Sequence, residues 1–116
     1  MGLDQFAFAK AKGKEAVRIS YWRKHNRLHG WMESLYHENG EEGELNTEKL
    51  PLTLEDLDVL EQDIVDRCLP KTSGFFFGDD SYEEYEKYFL KQDMDFIQKA
   101  RECINRGEEV YYTSWW

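Results

Sequence analysis

The sequence predicts an α+β fold in which about three helices pack on a small antiparallel sheet, in the order β-β-α-α-β-α-β. Two patterns predict it. Apolar and polar residues alternate near both ends of the chain, as in half-buried strands. Between these segments apolar residues recur every three or four positions, as on the buried side of a helix. At 116 residues the chain has the length of one domain, 1–116.

Alternation predicts one strand over residues 3–9 and another over residues 16–22. The polar turn between them contains Gly13, which favours an antiparallel hairpin. The final run EEVYYTSWW is β-branched and aromatic, a composition typical of strands.

The predicted helices run from about Arg23 to Asn39, from Thr53 to Pro70, and from Ser81 to Gly107. Thr53 and Ser81 begin capping boxes, which satisfy free N–H groups at helix N-termini. Cys68 and Cys103 fall in the second and third helices. Their spacing fits neither a metal site nor a disulfide framework, so both are predicted to be reduced and buried.

Two segments between the helices are predicted to be irregular. Residues 41–51 are acidic and are expected to form an exposed loop. Residues 71–78, KTSGFFFG, are expected to form a loop followed by a brief apolar strand.

The net charge of −9 is unevenly distributed. Residues 1–27 contain seven basic and two acidic side chains, and the other 89 residues contain 8 basic and 22 acidic ones, a balance of −14. Such asymmetry indicates a charged partner. Because the overall sign repels phosphates, direct nucleic-acid binding is predicted to be unlikely, whereas a local anion site in the basic segment is compatible with the pattern.

No apolar run approaches the roughly 20 residues of a membrane-spanning helix, and the first residues lack a signal-peptide pattern. We therefore expect a cytoplasmic protein with no membrane partner. The motifs indicate no cofactor.

The segment YWRKHNRLHGW, residues 21–31, combines rings, positive charges and hydrogen-bonding groups where a strand is predicted to meet a helix. Helix N-termini attract anions through free N–H groups and the helix dipole. The candidate ligand-binding residues of this segment are Trp22, Arg23, Lys24, Asn26 and His29. The alternative is that Tyr21 and Trp31 belong to the core and the basic side chains solvate a helix face.

Two later segments add three candidates. Lys71 and Ser73 belong to a KTSG sequence that forms either an anion-binding nest or a structural turn, since no Walker motif is present. Tyr112, in the C-terminal run, is expected to stack on a planar ligand.

Alternation in the C-terminal run puts Tyr111, Thr113 and Trp115 on the face opposite to Tyr112. One face should be core, and the other a ligand platform or a contact for self-association. The alternative is a sheet that is covered on both faces.

His25 and His29 lie four residues apart, a spacing at which two side chains of a helix can hold a metal ion. Helical angles place both at the edge of the buried stripe, so edge and surface histidines are the favoured interpretation and no metal ligand is predicted. No G-x-S-x-G elbow is present. No catalytic residue is predicted, and an enzyme is the less favoured class.

In three motifs that occur in the same order along the sequence, the chain resembles a family of small, functionally uncharacterised proteins of tailed phages and some bacteria. Its members open with Met-Gly-Leu-Asp. They share YWRKxN…HxW, LPxxSGFFFG and YYxSW elements, here in residues 21–31, 69–78 and 111–115. Some carry a phosphoglycerate kinase label, although a two-domain kinase does not fit this length. The resemblance implies a phage accessory protein concerned with host takeover or host defence.

Three functions follow, in order of preference. The first is an accessory binding protein that holds a small anionic, nucleotide-like ligand between these segments. In a phage, this ligand would be a host immune signal. The second is an acidic interaction protein that mimics DNA and inhibits a host nucleic-acid-binding or defence protein. The third is a small enzyme acting on a nucleotide.

Overall fold

The computed structural model of the chain describes residues 2–70 and 82–116. Its elements are β1 (Asp4–Lys10), β2 (Val17–Arg23), α1 (Asn26–Glu38), β3 (Leu50–Leu52), α2 (Leu54–Val65), α3 (Tyr82–Tyr88), α4 (Leu90–Asn105) and β4 (Glu109–Trp115). The predicted α+β class is confirmed, with one helix more than expected in these ranges. The strand predicted within residues 71–78 lies outside the described residues.

The described strands form an antiparallel sheet with the order β2-β1-β4-β3, so the two segments nearest the chain ends pair at its centre. Alternation gives this sheet two different faces. Gln5, Ala7 and Ala9 are buried beneath the helices, whereas Phe6 and Phe8 point the other way and are half-buried. We call these sides the inner face and the outer face.

Local capping chemistry sets where the helices begin. The predicted capping box of α2 is confirmed, since Thr53 Oγ1 accepts the Asp56 N–H at 3.1 Å and the Asp56 carboxylate accepts the Thr53 N–H at 3.0 Å. At α1, His25 Nδ1 accepts the N–H of Leu28 at 3.4 Å. The predicted third helix divides into α3 and α4 at Phe89, where φ is −124° and the ring stacks on His25 at 4.0 Å.

The acidic stretch of residues 41–51 is mostly exposed and irregular, as its polarity predicted, but two buried leucines anchor it. Leu45 and Leu50 are 0% and 1% exposed, and β3 begins at Leu50. The Leu45 carbonyl accepts hydrogen bonds from Ser114 Oγ at 2.6 Å and from Trp116 Nε1 at 3.1 Å. Burial of these two leucines outweighs the polarity of their neighbours and ties the stretch to the end of β4.

The prediction for the cysteines is half correct. Cys103 is buried, but Cys68 is exposed because α2 ends at Val65. The predicted cap at Ser81 lies outside the described residues.

The carboxylate of Asp93, in α4, is completely buried. Its Oδ1 accepts a hydrogen bond from the Trp22 indole at 2.9 Å, and its Oδ2 accepts one from the Tyr85 hydroxyl at 2.8 Å. His25 Nε2 lies 2.7 Å from the same Oδ2. Because His25 Nδ1 accepts the Leu28 N–H, the ring proton resides on Nε2 and points at Asp93. We call these four side chains, Asp93, Trp22, His25 and Tyr85, the Asp93 network.

The Asp93 network joins β2, the start of α1, α3 and α4 at one point. Burial, followed by the charge of Asp93, raises the pKa of Tyr85 well above its usual value, so its hydroxyl remains a donor at every physiological pH. In residues 2–70 and 82–116, no helix is both long enough and apolar enough to cross a bilayer.

Replacing Asp93 by alanine removes the acceptor of three buried donors at once. Each buried donor left without a partner costs about 1–3 kcal/mol, so we expect Asp93→Ala to lose at least about 3 kcal/mol of unfolding free energy. Urea unfolding followed by tryptophan fluorescence measures this loss.

The control is Asp95→Ala, which removes an exposed carboxylate from the same helix. Its urea midpoint should stay close to that of the parent protein. Equal midpoints for the two variants would contradict the structural role of Asp93.

Candidate ligand-binding face

Three of the eight predicted ligand-binding residues meet, but they meet inside the core. Trp22, His29 and Tyr112 are 1%, 6% and 0% exposed. The ring centroids of Trp22 and Tyr112 are 6.3 Å apart, and His29 Nδ1 lies 2.9 Å from the Tyr112 hydroxyl. Trp22 also packs edge-on against Phe96. Trp22 and Tyr112 therefore present no open ring surface on which a ligand can stack.

Of the other five predicted residues, the three that the structure describes, Arg23, Lys24 and Asn26, are not drawn into this cluster. Arg23 and Lys24 are exposed, and Lys24 adopts a positive φ of 57°. Asn26 is half-buried, and its Oδ1 has no hydrogen-bond partner among the described atoms. Lys71 and Ser73 lie outside the described residues. Convergence of all eight around one ligand stays a prediction.

A relay of hydrogen bonds fixes His29. Gln5 Nε2 donates to the Tyr112 oxygen at 3.1 Å, which leaves the Tyr112 hydroxyl proton for His29 Nδ1. The His29 proton then resides on Nε2, 3.7 Å from a Glu33 carboxylate oxygen. Burial raises the pKa of Tyr112 far above its usual value, so this hydroxyl keeps its proton. Gln5 was not predicted as a polar core residue, since an alternating strand gives no sign that an amide faces inward.

His25 and His29 are buried, not the edge or surface side chains that helical angles suggested. His25 precedes the helix as its N-cap, so the expected four-residue stacking on α1 does not apply to it. Among the described residues, no group of three or more His, Cys, Asp or Glu side chains is arranged to hold a metal ion.

The outer face carries a continuous row of aromatic rings. Centroid distances are 5.3 Å between Tyr21 and Phe6, 6.2 Å between Phe6 and Phe8, and 5.4 Å between Phe8 and Tyr111. We call this row of Tyr21, Phe6, Phe8 and Tyr111 the ring ladder. It crosses β2, β1 and β4 and follows from the sheet register, which places Phe6 beside Tyr21 and Phe8 beside Tyr111.

A cation lies over each end of the ring ladder. The Arg18 guanidinium carbon is 5.6 Å from the Tyr21 centroid, and Lys49 Nζ is 5.0 Å from the Tyr111 centroid. Tyr21 donates a 2.7 Å hydrogen bond to Asp4, and this bond raises the pKa of Tyr21. The ladder is therefore a strip of mutually tilted rings with a cation over each end ring.

The outer face is positive although the protein is acidic. Outward positions of the strands, with Lys49 beside β3, hold four basic and two acidic side chains: Lys10, Arg18, Arg23, Lys49, Asp4 and Glu109. The local balance is +2, against −9 for the whole chain. Trp115, 68% exposed, extends the aromatic surface next to Asp4.

Sequence alternation indicated part of this face. The prediction that the C-terminal strand has one core face is confirmed by buried Val110, Tyr112 and Ser114, and Tyr111 and Trp115 lie on the other side. Phe6 and Phe8 alternate with buried residues of β1 and therefore share the outer face. Alternation alone gave no sign that Arg18 and Lys49 would cover the ladder ends.

Two concave sites offer weaker chemistry for an anion. A groove of about 780 Å³ beside β3 sets Glu55, Glu108 and Glu109 against Lys49. A cleft of about 660 Å³ between β2 and the α3–α4 pair is lined by three lysines: Lys87, Lys91 and Lys99. In that cleft Lys91 is already paired with Asp95 at 2.8 Å. The cleft therefore has positive charge but contains a single ring of the ladder, Tyr21.

Comparison of the chain with protein-family models, curated proteins and solved structures found no match.

The relay at His29 predicts a pH dependence of stability. Burial lowers the pKa of His29 in the folded chain, and the nearby Glu33 charge opposes this effect. The unfolded chain, with a histidine pKa of about 6.5, therefore binds the proton more readily. This contribution to stability is complete above about pH 6.5 and declines as the pH falls below it.

We expect His29→Gln to flatten the loss of unfolding free energy between about pH 7 and about pH 5.5, measured by urea titration at each pH. His37→Gln removes an exposed histidine and should leave the parent profile unchanged. Identical slopes for the two variants would exclude His29 as the titrating group.

Proposed function

We propose that this chain is a non-catalytic binding protein that holds an anionic, nucleotide-like ligand on its outer face. The observation that carries the proposal is the ring ladder with a cation over each end. Bases stack on aromatic rings without regard to sequence, and Arg and Lys side chains neutralise phosphate. Both requirements are met on one surface.

The proposal keeps the predicted ligand class but moves its site. Trp22 and Tyr112 are occupied by the core, whereas Phe8 and Tyr111 have the same chemistry and are half-exposed. Of the residues first suggested, Arg23 remains close to the site, since it lies opposite Asp4 in the sheet. The polar relay and the Asp93 network then act as structural support beneath the ligand.

The biological setting of the proposal comes from the sequence resemblance. A phage accessory protein with this activity would work in the host cytosol, where it would sequester a nucleotide used as an immune signal. Self-association through the C-terminal strand is the competing use of the same surface.

A second candidate rests on α2. Five of its 12 residues are acidic and none is basic: Glu55, Asp56, Asp58, Glu61 and Asp63. Arg101 from α4 pairs with Asp58 and Glu61, whereas Asp56 caps the helix and Asp63 accepts the Trp31 indole, so an outside partner would meet charge that is already held in place within the fold. This helix would present phosphate-like charge to a host nucleic-acid-binding protein. Capture of such a partner should be lost at high salt, whereas ring stacking persists.

Titration calorimetry with ATP, ADP-ribose and cyclic dinucleotides tests the main proposal. We expect binding of at least one of these compounds by the parent protein. Tyr111→Ala should weaken it about 5- to 150-fold, the effect of losing one stacked ring. The fold of each variant is verified by its urea midpoint.

Tyr88→Ala is the matched control. Tyr88 is 61% exposed and also has a lysine over its ring, with Lys87 Nζ at 5.2 Å, but it belongs to α3 and lines the lysine cleft instead of the sheet face. Its affinity should equal that of the parent. The proposal would be contradicted if the parent protein bound none of these nucleotides, or if Tyr88→Ala and Tyr111→Ala lost equal amounts of affinity.

A further inference from the structure

We infer that the ligand of the outer face is a single-stranded nucleic acid several nucleotides long. This inference rests on the proposed function and names its ligand. The reason is the length of the ring ladder: four rings stand in a continuous row, and a single nucleotide has one base to stack on them.

The shape of the surface argues against a free mononucleotide. Small-molecule sites are concave and bury about 70–90% of their ligand. The rings of the ladder stand on one face of the sheet, and the two concave sites described above reach only its end rings, Tyr111 and Tyr21. One stacked base gains only about 5- to 150-fold in affinity, so a mononucleotide on this face should bind more weakly than a strand that engages several rings.

The spacing of the rings suits a strand with separated bases. Successive centroids are 5.3–6.2 Å apart, whereas stacked nucleotides of one strand rise about 3.4 Å. Bases must therefore splay to meet successive rings. Proteins that recognise single strands hold them in this way, with unstacked bases on the aromatic side chains of a sheet. A duplex, whose bases are paired and stacked, cannot use the ladder.

Basic side chains are placed to follow the backbone of such a strand. Residues 10–24, which form most of the β1–β2 hairpin, contain six basic side chains and one acidic one. Two of the six, Arg18 and Arg23, project beside Tyr21 and Asp4 of the outer face. Contacts between these cations and phosphates would make the affinity dependent on salt.

The net charge of −9 does not prevent this binding, contrary to what the sum of charges suggested. At physiological salt the Debye length is about 8 Å, so distant charges act weakly on a phosphate. The protein measures 42 × 28 × 24 Å, and of the five acids of α2 only Glu55 lines the groove that contains Lys49 and Tyr111. A phosphate beside Arg18 therefore responds mainly to the basic side chains of the hairpin, whereas Glu55, Glu108 and Glu109 offset Lys49 at the other end of the ladder.

The same charge disfavours a second copy of the chain as the occupant. Two outer faces placed together would oppose Arg18 and Lys49 with their own copies. Like charges across an interface are costly, whereas phosphates complement them.

Fluorescence anisotropy with labelled oligothymidylates and oligouridylates tests the inference. Strands of one, about four and about eight nucleotides should bind with rising affinity, until the ladder is filled. Raising the salt from about 50 to about 200 mM should weaken the longest strand with a log–log slope of about 0.7 per phosphate contacted. Arg18→Gln should reduce that slope by about 0.7.

The double variant Phe8→Leu with Tyr111→Leu keeps apolar bulk but removes two rings. It should bind the longest strand at least about tenfold more weakly than the parent. Lys99→Gln, in the lysine cleft, is the charge control and should bind as the parent does.

The outcomes separate the inference from the proposed function. A mononucleotide that binds as tightly as the longest strand, and depends on Tyr111, overturns the inference and leaves the proposed function standing. Failure of every mononucleotide and strand to bind overturns both. Equal affinity for duplex, unchanged affinity in the double-leucine variant, or dimerisation through this face overturns the inference.

Discussion

The fold depends on how the buried carboxylate of Asp93 is satisfied. An isolated charge in an apolar core is strongly unfavourable, so a buried carboxylate persists only where donors meet it. Here an indole, an imidazole and a phenol do so at 2.7–2.9 Å. The donors come from different elements, and each reaches Asp93 only when its element is docked as observed. These hydrogen bonds specify how the elements dock, and the packing of Trp22 against Phe96 adds hydrophobic stabilisation to the same arrangement.

This constraint also decides which face of the sheet is free. Trp22 must turn inward to reach Asp93, so its neighbour Tyr21 turns outward, where it joins Phe6. On β4 the same alternation sends Tyr112 to the His29 relay and Tyr111 to the outer face. The inner rings are buried in the core, whereas the outer rings stay partly exposed. Under the proposed function, binding residues and core residues therefore alternate along the same strands.

Sequence periodicity predicted the fold class, the hairpin, the last strand and the cap of α2. It did not identify Asp93, which looked like one more charge on an acidic helix. A signal was nevertheless present, because Asp93 stands three residues before Phe96 and continues the inner stripe of that helix. The exposed character of residues 41–51 was predicted, but the average polarity of the stretch concealed Leu45 and Leu50, whose burial depends on contacts with the distant strand β4.

The candidate site was harder to predict than the fold. Strands β2 and β4 carry aromatic residues on both of their faces. Alternation therefore separates the two sets of rings but does not show which set points into the core. That choice depends on long-range partners such as Asp93 and Gln5, and on the irregularity between Ala7 and Phe8 that shifts the register with β2. The clustering of charge was visible in the sequence, but the position of Lys49 over Tyr111 depends on the pairing of β3 with β4.

The four tryptophans provide the most direct test of a division between a sealed inner face and a binding outer face. The indole N–H groups of Trp22, Trp31 and Trp116 donate to Asp93, Asp63 and the Leu45 carbonyl, whereas Trp115 is exposed beside Asp4. In a nitrogen–proton correlation NMR titration with an oligothymidylate of about eight nucleotides, the Trp115 indole signal should move and the Trp22 and Trp31 signals should stay fixed. Movement of the Trp22 signal with a stationary Trp115 signal would contradict the division, because it would place the ligand in the core side of the sheet.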